Sequence, residues 1–355
     1  MFAIYVEKEF LQNLFIIHNS DNEVIADFIE FIGCCNGLTI HTDVESIDDL
    51  LPLIKDNPFW KELTRNISDI VFNEQLFHQT PNPEVISKIP PFSLFLIEQS
   101  DLASTFLKHG YLCISSSEIG VKWKSFTKEA TISLNVSSNS SIPLQYKLSC
   151  FEQLEQFQHP FHSLIIVDKY LFNDHKDSNY ETNLLSILDS LVGSNSSLNQ
   201  SLFFFIDSKD GLLPSMCKIG VEVEERFKLS KSKVDSHLAK YKKNGSLIKL
   251  SICSILKSLF QDDPIHDRRL YTNYFLISSE AGFNIFKKDR RTNKLNPNTN
   301  TLVHFNFVFR PETMYRVKSD LQDLANYIQR LKKTTTYEMS YIPSKPSLPK
   351  ILSFD

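Results

Sequence analysis

The sequence predicts two α/β domains, each with a central, mostly parallel or mixed sheet flanked by helices. Three observations predict this class. Apolar runs of strand length alternate with segments of helical periodicity, which favours parallel sheets. The chain has 355 residues, enough for two domains of ordinary size. A polar run, SSNSSI at 137–142, interrupts the pattern and is either a hairpin loop or a linker.

The predicted boundary lies near residue 150. It separates an acidic domain, 1–150, from a basic domain, 151–332, with a flexible tail at 333–355. In the first domain the apolar runs predict strands at 2–6, 38–41, 92–97 and 111–114. Helical spacing predicts helices at 23–32 and 102–109. A third helix begins after Ser46, whose side chain is a favourable N-cap.

The second domain repeats the alternation of strands and helices. Apolar runs predict strands at 163–167, 202–206, 247–253, 270–277 and 304–309. Helical periodicity predicts helices at 182–191, 231–243 and 317–331. The first two of these strands end in Asp168 and Asp207, at the sheet edge where open α/β sheets bind ligands. Aspartate after a strand is also an ordinary turn or capping residue.

Charge is unevenly distributed along the chain. Residues 1–70 hold 13 acidic and 4 basic side chains, whereas residues 226–294 hold 16 basic and 6 acidic ones. Such asymmetry predicts that the C-terminal half meets an anionic partner, most often nucleic acid. The alternative is that the two regions attract each other, or an oppositely charged protein partner or second copy of the chain.

Several function classes have no support in the sequence. The N-terminal residues carry charges where a signal peptide is apolar, and no apolar run is long enough to span a membrane. The six cysteines lack metal-ligand spacing and are expected to be free and buried in a cytoplasmic protein. We find no glycine-rich phosphate loop, nucleophile elbow or zinc-peptidase motif, and we expect neither a cofactor nor a bound metal.

One stretch carries a catalytic pattern. IHDRRLYTNYFLISSEAGF, residues 265–283, holds His266, Arg268 and Asn273 in the spacing His-x-Arg-x-x-x-x-Asn. It resembles the His-x-Lys-x-x-x-x-Asp motif of the phospholipase D superfamily, with arginine for lysine and asparagine for aspartate. Together with HSLIIVDKYL at 162–171, it is similar to the phospholipase D-like domain of MIT-domain proteins. The resemblance covers about residues 160–310.

The resemblance implies a phosphodiesterase site. One imidazole attacks phosphorus, a second serves the leaving oxygen, and a cation holds the phosphoryl oxygens. His266 would be the nucleophile, Arg268 would bind phosphate and Asn273 would position the imidazole. Asn273 cannot supply the charge of the family's aspartate. The second imidazole would come from a two-fold mate, from His162 or from His304.

Three interpretations of this stretch stay open. It is an active phosphodiesterase, a phosphate-binding module without turnover, or an unrelated surface. In the third case Asp267, Arg268 and Arg269 are ordinary turn and ion-pair residues. If the stretch binds phosphate, Arg269 is expected to contribute.

A second basic cluster follows in the sequence. Lys287, Lys288, Arg290 and Arg291 form a loop-like group that could contact a phosphate backbone or be a solvated hairpin tip.

The acidic domain offers a weaker pattern. Carboxylates follow successive predicted strands at Glu7 and Glu9, at Asp43 and Glu45, and at Glu98 and Asp101. This arrangement resembles the metal-binding edge of PIN-like nucleases. The alternative is a set of helix N-terminal acids on a solvated face.

We therefore expect a nucleic-acid-directed protein, with a nuclease of a microbial defence or repair system as the leading form. The alternative is a non-catalytic module that binds a partner or an anionic ligand within a complex. Acidic lipid headgroups are a third class of ligand, which the resemblance to MIT-associated domains implies.

Overall fold

The computed structural model describes residues 2–18, 22–34, 38–65, 69–79, 81–120, 133–135, 151, 154, 159–172, 180–193, 199–207, 223–242, 247–255, 268–279, 282–289, 291–292, 294–297, 302–333 and 348–352. The chain divides into two compact units. Unit 1 comprises Met1–Thr131 and Phe307–Arg316, and unit 2 comprises Ile132–Asn306 and Val317–Asp355. Each unit holds a sheet with helices, as the α/β prediction requires.

Unit 1 contains a five-stranded sheet in the order β3-β2-β1-β4-β5. All four pairings are parallel, which confirms the predicted parallel sheet. The strands are β1 (Phe2–Val6), β2 (Thr39–Thr42), β3 (Asp69–Val71), β4 (Phe92–Leu96) and β5 (Leu112–Ile114). The central strands β1 and β4 are buried on both faces, so they read as continuous apolar runs. β3 was not predicted, because its three residues are only partly buried.

Six helices of unit 1 are described: α1 (Lys8–His18), α2 (Asn22–Cys34), α3 (Ile47–Asp56), α4 (Pro58–Arg65), α5 (Pro83–Lys88) and α6 (Ser100–Lys108). The Ser46 hydroxyl accepts a hydrogen bond from the Asp49 amide, which confirms the predicted N-cap of α3. α6 ends before Gly110, whose φ of 78° takes the chain into β5. α1 was not predicted, and Glu9 lies in its first turn instead of at a strand end.

Unit 2 contains a seven-stranded sheet in the order β6-β14-β11-β10-β7-β8-β9. Its strands are β6 (Ser133–Asn135), β7 (Ser163–Val167), β8 (Gln200–Asp207), β9 (Ile248–Ile255), β10 (Arg268–Thr272), β11 (Phe275–Ser279) and β14 (Leu302–Phe307). β7, β8 and β9 are parallel, and β10 runs antiparallel to β7. A separate hairpin joins β12 (Phe286–Lys288) to β13 (Leu295–Pro297).

The strand predicted at 270–277 is two strands. β10 and β11 pair as an antiparallel hairpin, with Asn273 and Tyr274 in its turn. Only Thr272 and Asn273 separate the apolar residues on either side, and the turn contains neither glycine nor proline, so the segment reads as one strand. The Thr272 hydroxyl forms the turn by accepting hydrogen bonds from the Tyr274 amide at 3.1 Å and the Phe275 amide at 2.9 Å.

The helices of unit 2 frame this sheet. A π-helical turn (Glu181–Leu185) leads into α7 (Ser186–Gly193), and α8 (Val223–Leu238) continues into a 3-10 turn (Ala239–Tyr241). The division between the units falls within α9 (Pro311–Lys333). α9 begins earlier than the predicted 317–331, because Pro311 favours a helix start.

Two chain boundaries differ from those expected. The division falls at 131/132 rather than near 150, because β6 already pairs with β14 of the unit 2 sheet. The tail is not uniformly extended, since Ile351 and Leu352 are buried in a 3-10 turn (Lys350–Leu352). Burial of these apolar side chains offsets the entropy of ordering the turn.

Cys113 and Cys253 are buried free thiols, as expected, and the other cysteine side chains lie outside the described residues. None of the helices in the described ranges combines the length and the apolar character needed to span a membrane.

Candidate functional site

The carboxyl edge of the unit 2 sheet is organised around Asp168. This residue follows β7 directly, and its side chain is 1% exposed. Its Oδ1 accepts a hydrogen bond from the Tyr170 amide at 2.9 Å, and its Oδ2 accepts one from the Phe283 amide at 2.8 Å. Burial raises the pKa of Asp168, while the two amides and the charge of Arg268 act against that rise. Asp168 is therefore a brace that joins the β7 turn to residues 282–283.

The Asp168 brace leaves no room for a side chain at Gly282. A Cβ built on Gly282 would stand 2.9 Å from Asp168 Oδ2 and 3.5 Å from Arg268 Cγ. Its φ of 88° lies in the left-handed region that glycine adopts without strain. The Arg268 side chain therefore lies close to this glycine.

Arg268 meets an exposed aromatic ring at this edge. Its guanidinium carbon lies 5.7 Å from the centroid of the Tyr170 ring. The Tyr170 side chain is 39% exposed, and the Tyr170 carbonyl accepts a hydrogen bond from Asn284 Nδ2 at 2.5 Å. A guanidinium can bind phosphate oxygens in a bidentate way, and an exposed ring offers a face for a base. The pair thus combines two groups that recognise nucleotides.

Arg269 points to a different environment. Its guanidinium pairs with Asp320 Oδ2 at 2.5 Å, and its side chain is 12% exposed. The Tyr271 hydroxyl donates to the same carboxylate at 3.0 Å. The phosphate-binding role predicted for Arg269 does not fit this placement, because an internal ion pair takes its guanidinium.

Asn273 lies at the other end of the sheet from Arg268. The strand between Arg268 and Thr272 spans roughly 13 Å. The Asn273 side chain is fully buried, and its Oδ1 accepts a hydrogen bond from the His162 amide at 3.1 Å, beside the start of β7. The structure therefore does not bring Arg268 and Asn273 together. Asn273 instead accepts a hydrogen bond from a backbone amide. His266 lies outside the described residues.

The two other candidate histidines are in distinct places. His162 is buried beside Asn273 at the amino edge, where its Nδ1 lies 2.7 Å from the Ser163 hydroxyl. His304 is partly buried on β14, opposite Ser133 of β6. His162 is thus at the edge opposite Arg268 and cannot share a phosphate with it.

The second basic cluster forms the β12–β13 hairpin. Lys287 and Arg291 are exposed, whereas the side chain of Lys288 and all of Arg290 lie outside the described residues. Not all basic residues of unit 2 face the Arg268 edge. Exposed Lys249 lies near the start of β9, which is the amino edge of the parallel strands. The charge excess at 226–294 is therefore spread over more than one surface.

The carboxylates of unit 1 are engaged by their own chain. Glu7 is 1% exposed, and its Oε2 accepts a hydrogen bond from the Glu98 amide at 2.6 Å. Its Oε1 accepts from Gln99 Nε2 at 2.6 Å. Asp43 accepts from the Lys8 amide at 2.7 Å, and Glu98 accepts from the Ser116 amide at 2.8 Å. Burial raises the pKa of Glu7, against the effect of the backbone amides.

The metal-binding edge that a PIN-like resemblance implies is not assembled in the part of the chain that the structure describes. Within that part, no three His, Cys, Asp or Glu side chains are grouped so that they could hold a metal ion. Three of the six carboxylates of that pattern, Glu7, Asp43 and Glu98, accept hydrogen bonds from backbone amides instead. A cavity of about 260 Å³ lies nearby at the start of α6, lined by Phe77, His78, Gln99, Asp101 and Leu102 among others.

Comparisons with protein-family models, with curated proteins and with solved structures give no match to this chain. Its function is therefore argued from the site alone. Sequence reasoning identified Arg268, and it placed Gly282 and Asn284 only in the zone downstream of the motif. It noted the Asp-x-Tyr at the end of β7 but gave Tyr170 no role in the site. The proximity of Tyr170, Gly282 and Asn284 to Arg268 depends on the order of strands in the sheet, which local sequence patterns do not encode.

Proposed function

We propose that unit 2 binds nucleic acid and that Arg268 and Tyr170 form the centre of the contact. The observation that carries this proposal is the position of the Arg268 guanidinium beside the exposed Tyr170 ring, at the carboxyl edge of β7. In open α/β sheets this edge is the usual place for a ligand. The cation would hold a phosphate, and the ring would pack against the adjoining nucleotide.

The proposal covers binding and not cleavage. A phospholipase D-type reaction needs its acidic or amide partner close to the imidazole and the cation. Asn273 accepts a hydrogen bond from a backbone amide at the far end of β10, so it does not belong to a group that contains Arg268. The motif-like spacing in the sequence thus joins one candidate ligand-binding residue and one structural residue.

Fluorescence anisotropy with labelled single- and double-stranded DNA and RNA tests the proposal. We expect Arg268→Ala to weaken binding by about 1–3 kcal/mol, the loss of a charge-assisted contact to phosphate. Arg268→Lys should restore part of the affinity, since the charge remains without the bidentate geometry. Lys249→Ala, which removes a charge from the amino edge, serves as the control.

Equal affinity of the wild type and Arg268→Ala for every nucleic acid would overturn the proposal, as would equal losses in Arg268→Ala and Lys249→Ala. The salt dependence of binding gives a further criterion. A nucleic-acid contact predicts that the slope of log affinity against log salt becomes shallower by about one in Arg268→Ala.

A further inference from the structure

The β12–β13 hairpin is a compact basic ribbon. Phe286 pairs with Pro297, Lys287 with Asn296, and Lys288 with Leu295. The segment from residue 286 to residue 297, FKKDRRTNKLNP, holds five basic residues and one acidic residue. Arg291 and Lys294, near its tip, are exposed. The ribbon therefore presents positive charge at the end farthest from its base.

The acidic residue of the ribbon holds the tip in shape. Asp289 Oδ1 accepts hydrogen bonds from the Arg291 and Thr292 amides, both at 2.8 Å. The Asp289 amide donates to the Lys294 carbonyl at 2.8 Å, which closes the loop. These amides lower the pKa of Asp289, so the carboxylate stays ionised in its capping role. The one negative charge is thus used to order the loop that carries Arg291 and Lys294.

The base of the ribbon is clamped from two sides. Asn183, in the π-helical turn, donates to the Phe286 carbonyl at 2.9 Å and accepts from the Phe286 amide at 2.8 Å. The Phe286 ring packs edge-on against Phe151, with centroids 5.1 Å apart. Both side chains are buried, so the first strand of the ribbon is fixed to the body of unit 2.

The residues just before the ribbon connect it to the Arg268 edge. Phe283 and Asn284 lead directly into β12. The Phe283 amide binds the Asp168 carboxylate, and the Asn284 side chain binds the Tyr170 carbonyl. The ribbon thus starts two residues after Asn284, beside the groups that hold the Tyr170 turn.

We propose that this ribbon enters the major groove of double-stranded DNA while Arg268 and Tyr170 contact the adjoining backbone. This inference rests on the proposed function of the Arg268 edge and names its ligand. The major groove is about 12 Å wide and 8.5 Å deep and admits a two-stranded ribbon, whose strands lie about 4.8 Å apart. Three paired residues and the loop extend roughly 10 Å or more, enough to reach the groove floor.

The geometry favours duplex DNA over other nucleic acids. The major groove of A-form RNA is too deep and narrow for side chains to read. A single strand offers no groove, and binding to it would depend on stacking at Tyr170 and on charge. A ribbon with its first strand fixed at Phe286 and its loop closed through Asp289 is suited to insertion, since hydrogen bonds already order part of it before binding.

The test compares Arg291→Ala/Lys294→Ala with the wild type on a DNA duplex of about 20 base pairs, one of its single strands, and an RNA duplex of the same sequence. We expect the wild type to bind the DNA duplex most tightly. The double variant should lose roughly tenfold or more in affinity for that duplex, with a salt slope shallower by about two. Its affinity for the single strand should change by less than about threefold.

Two further variants calibrate the result. Arg291→Lys/Lys294→Arg keeps both charges and should bind the duplex nearly as well as the wild type. Lys242→Ala/Lys249→Ala removes two exposed charges elsewhere on unit 2 and should have little effect. A major-groove ligand should compete with the protein for the DNA duplex, whereas a minor-groove dye should not.

Failure of the inference and failure of the proposed function are separable. If Arg268→Ala weakens binding while the hairpin double variant does not, the ribbon inference is wrong and the Arg268 edge stands. If the hairpin double variant loses single-stranded and duplex DNA equally, groove insertion is also wrong. Competition by the minor-groove dye alone would overturn the proposed groove. If Arg268→Ala has no effect, the proposed function itself fails.

Discussion

Arg268 and Asn273 stand at opposite ends of β10, so a spacing of five residues that looks catalytic in the sequence is divided across a sheet. Arg268 starts the strand beside the β7 turn, and Asn273 follows its last residue beside His162. In an extended strand each residue adds about 3.3 Å, and side chains at this separation cannot act on one atom. The geometry keeps Arg268 as the residue that we propose to bind phosphate, and it gives Asn273 a hydrogen bond to the backbone.

Asn273→Ala is expected to destabilise unit 2 by about 1–3 kcal/mol and to leave nucleic-acid affinity unchanged. The substitution leaves the buried His162 amide without its acceptor, and such a loss has that cost. Hydrogen exchange of the β7 and β10 amides, measured beside DNA-binding titrations, separates the two effects.

Asn326→Ala is the control for Asn273→Ala, because Asn326 lies on the partly exposed face of α9. Asn326→Ala should change neither the stability of unit 2 nor the affinity for nucleic acid. If folded Asn273→Ala protein binds DNA more weakly than the wild type, the proposed division of roles between Arg268 and Asn273 is wrong.

Gly282→Ala is expected to disturb the site more than the fold as a whole. The added Cβ would lie 2.9 Å from Asp168 Oδ2 at a backbone φ of 88°, so the brace must shift. We expect a cost of about 1–3 kcal/mol in local stability and a weaker DNA complex, because Asp168 holds the Tyr170 turn. Gly110→Ala, also at positive φ but in unit 1, should cost stability without affecting binding. Equal DNA affinity of Gly282→Ala and the wild type would show that the Asp168 brace does not support the site.

Strand identity could be read from the sequence where burial is continuous. The runs FAIYV and SLIIV are buried along their whole length, and both were predicted as strands. The turn at Asn273 was missed because only Thr272 and Asn273 interrupt the apolar residues, and a threonine hydroxyl, rather than glycine or proline, forms it. Tyr170 was missed for a different reason. Its contact with Arg268 joins residues almost a hundred positions apart and arises only from the antiparallel pairing of β7 with β10.

Glu7 is expected to make the stability of unit 1 depend on pH in an unusual direction. Burial raises the pKa of Glu7 above its ordinary value of 4.5, so the folded unit takes up a proton more readily than the unfolded chain does. Its contribution is then fully present below pH 4.5 and is lost as the pH rises through the folded pKa. Relative to Glu7→Gln, the wild type should lose stability as the pH rises from 4.5 through the folded pKa.

Hydrogen exchange of the β1 and β4 amides, followed across this pH range, measures the Glu7 effect in unit 1 alone. Glu9→Gln, at an exposed position of α1, is the matched control and should follow the wild type. A difference between the wild type and Glu7→Gln that is flat or grows with pH would show that the hydrogen bonds from Glu98 and Gln99 outweigh burial.

Asp189 is expected to stabilise the junction of α7 and α8, and to lose that effect in acid. Its Oδ1 accepts hydrogen bonds from His237 Nε2 at 2.5 Å, the Tyr241 hydroxyl at 2.6 Å and Lys240 Nζ at 2.9 Å. Burial acts to raise the pKa of Asp189, but the three donors outweigh it and the pKa is lowered. The contribution is therefore present above the ordinary value of 3.8 and is lost as the pH falls through the folded pKa.

Because the Asp189 side chain is 35% exposed, solvent screening limits the effect of Asp189→Asn to about 1 kcal/mol near neutral pH. Asp235→Asn, which removes a partner of Lys231 within α8, should cost less, since that pair joins one helix to itself. Hydrogen exchange of the α7 and α8 amides at pH 7 and at a series of pH values below 3.8 would measure this. The difference between the Asp189→Asn and wild-type proteins should narrow steadily as the pH falls through that series, and a difference that does not narrow would mean that packing rather than charge joins the two helices.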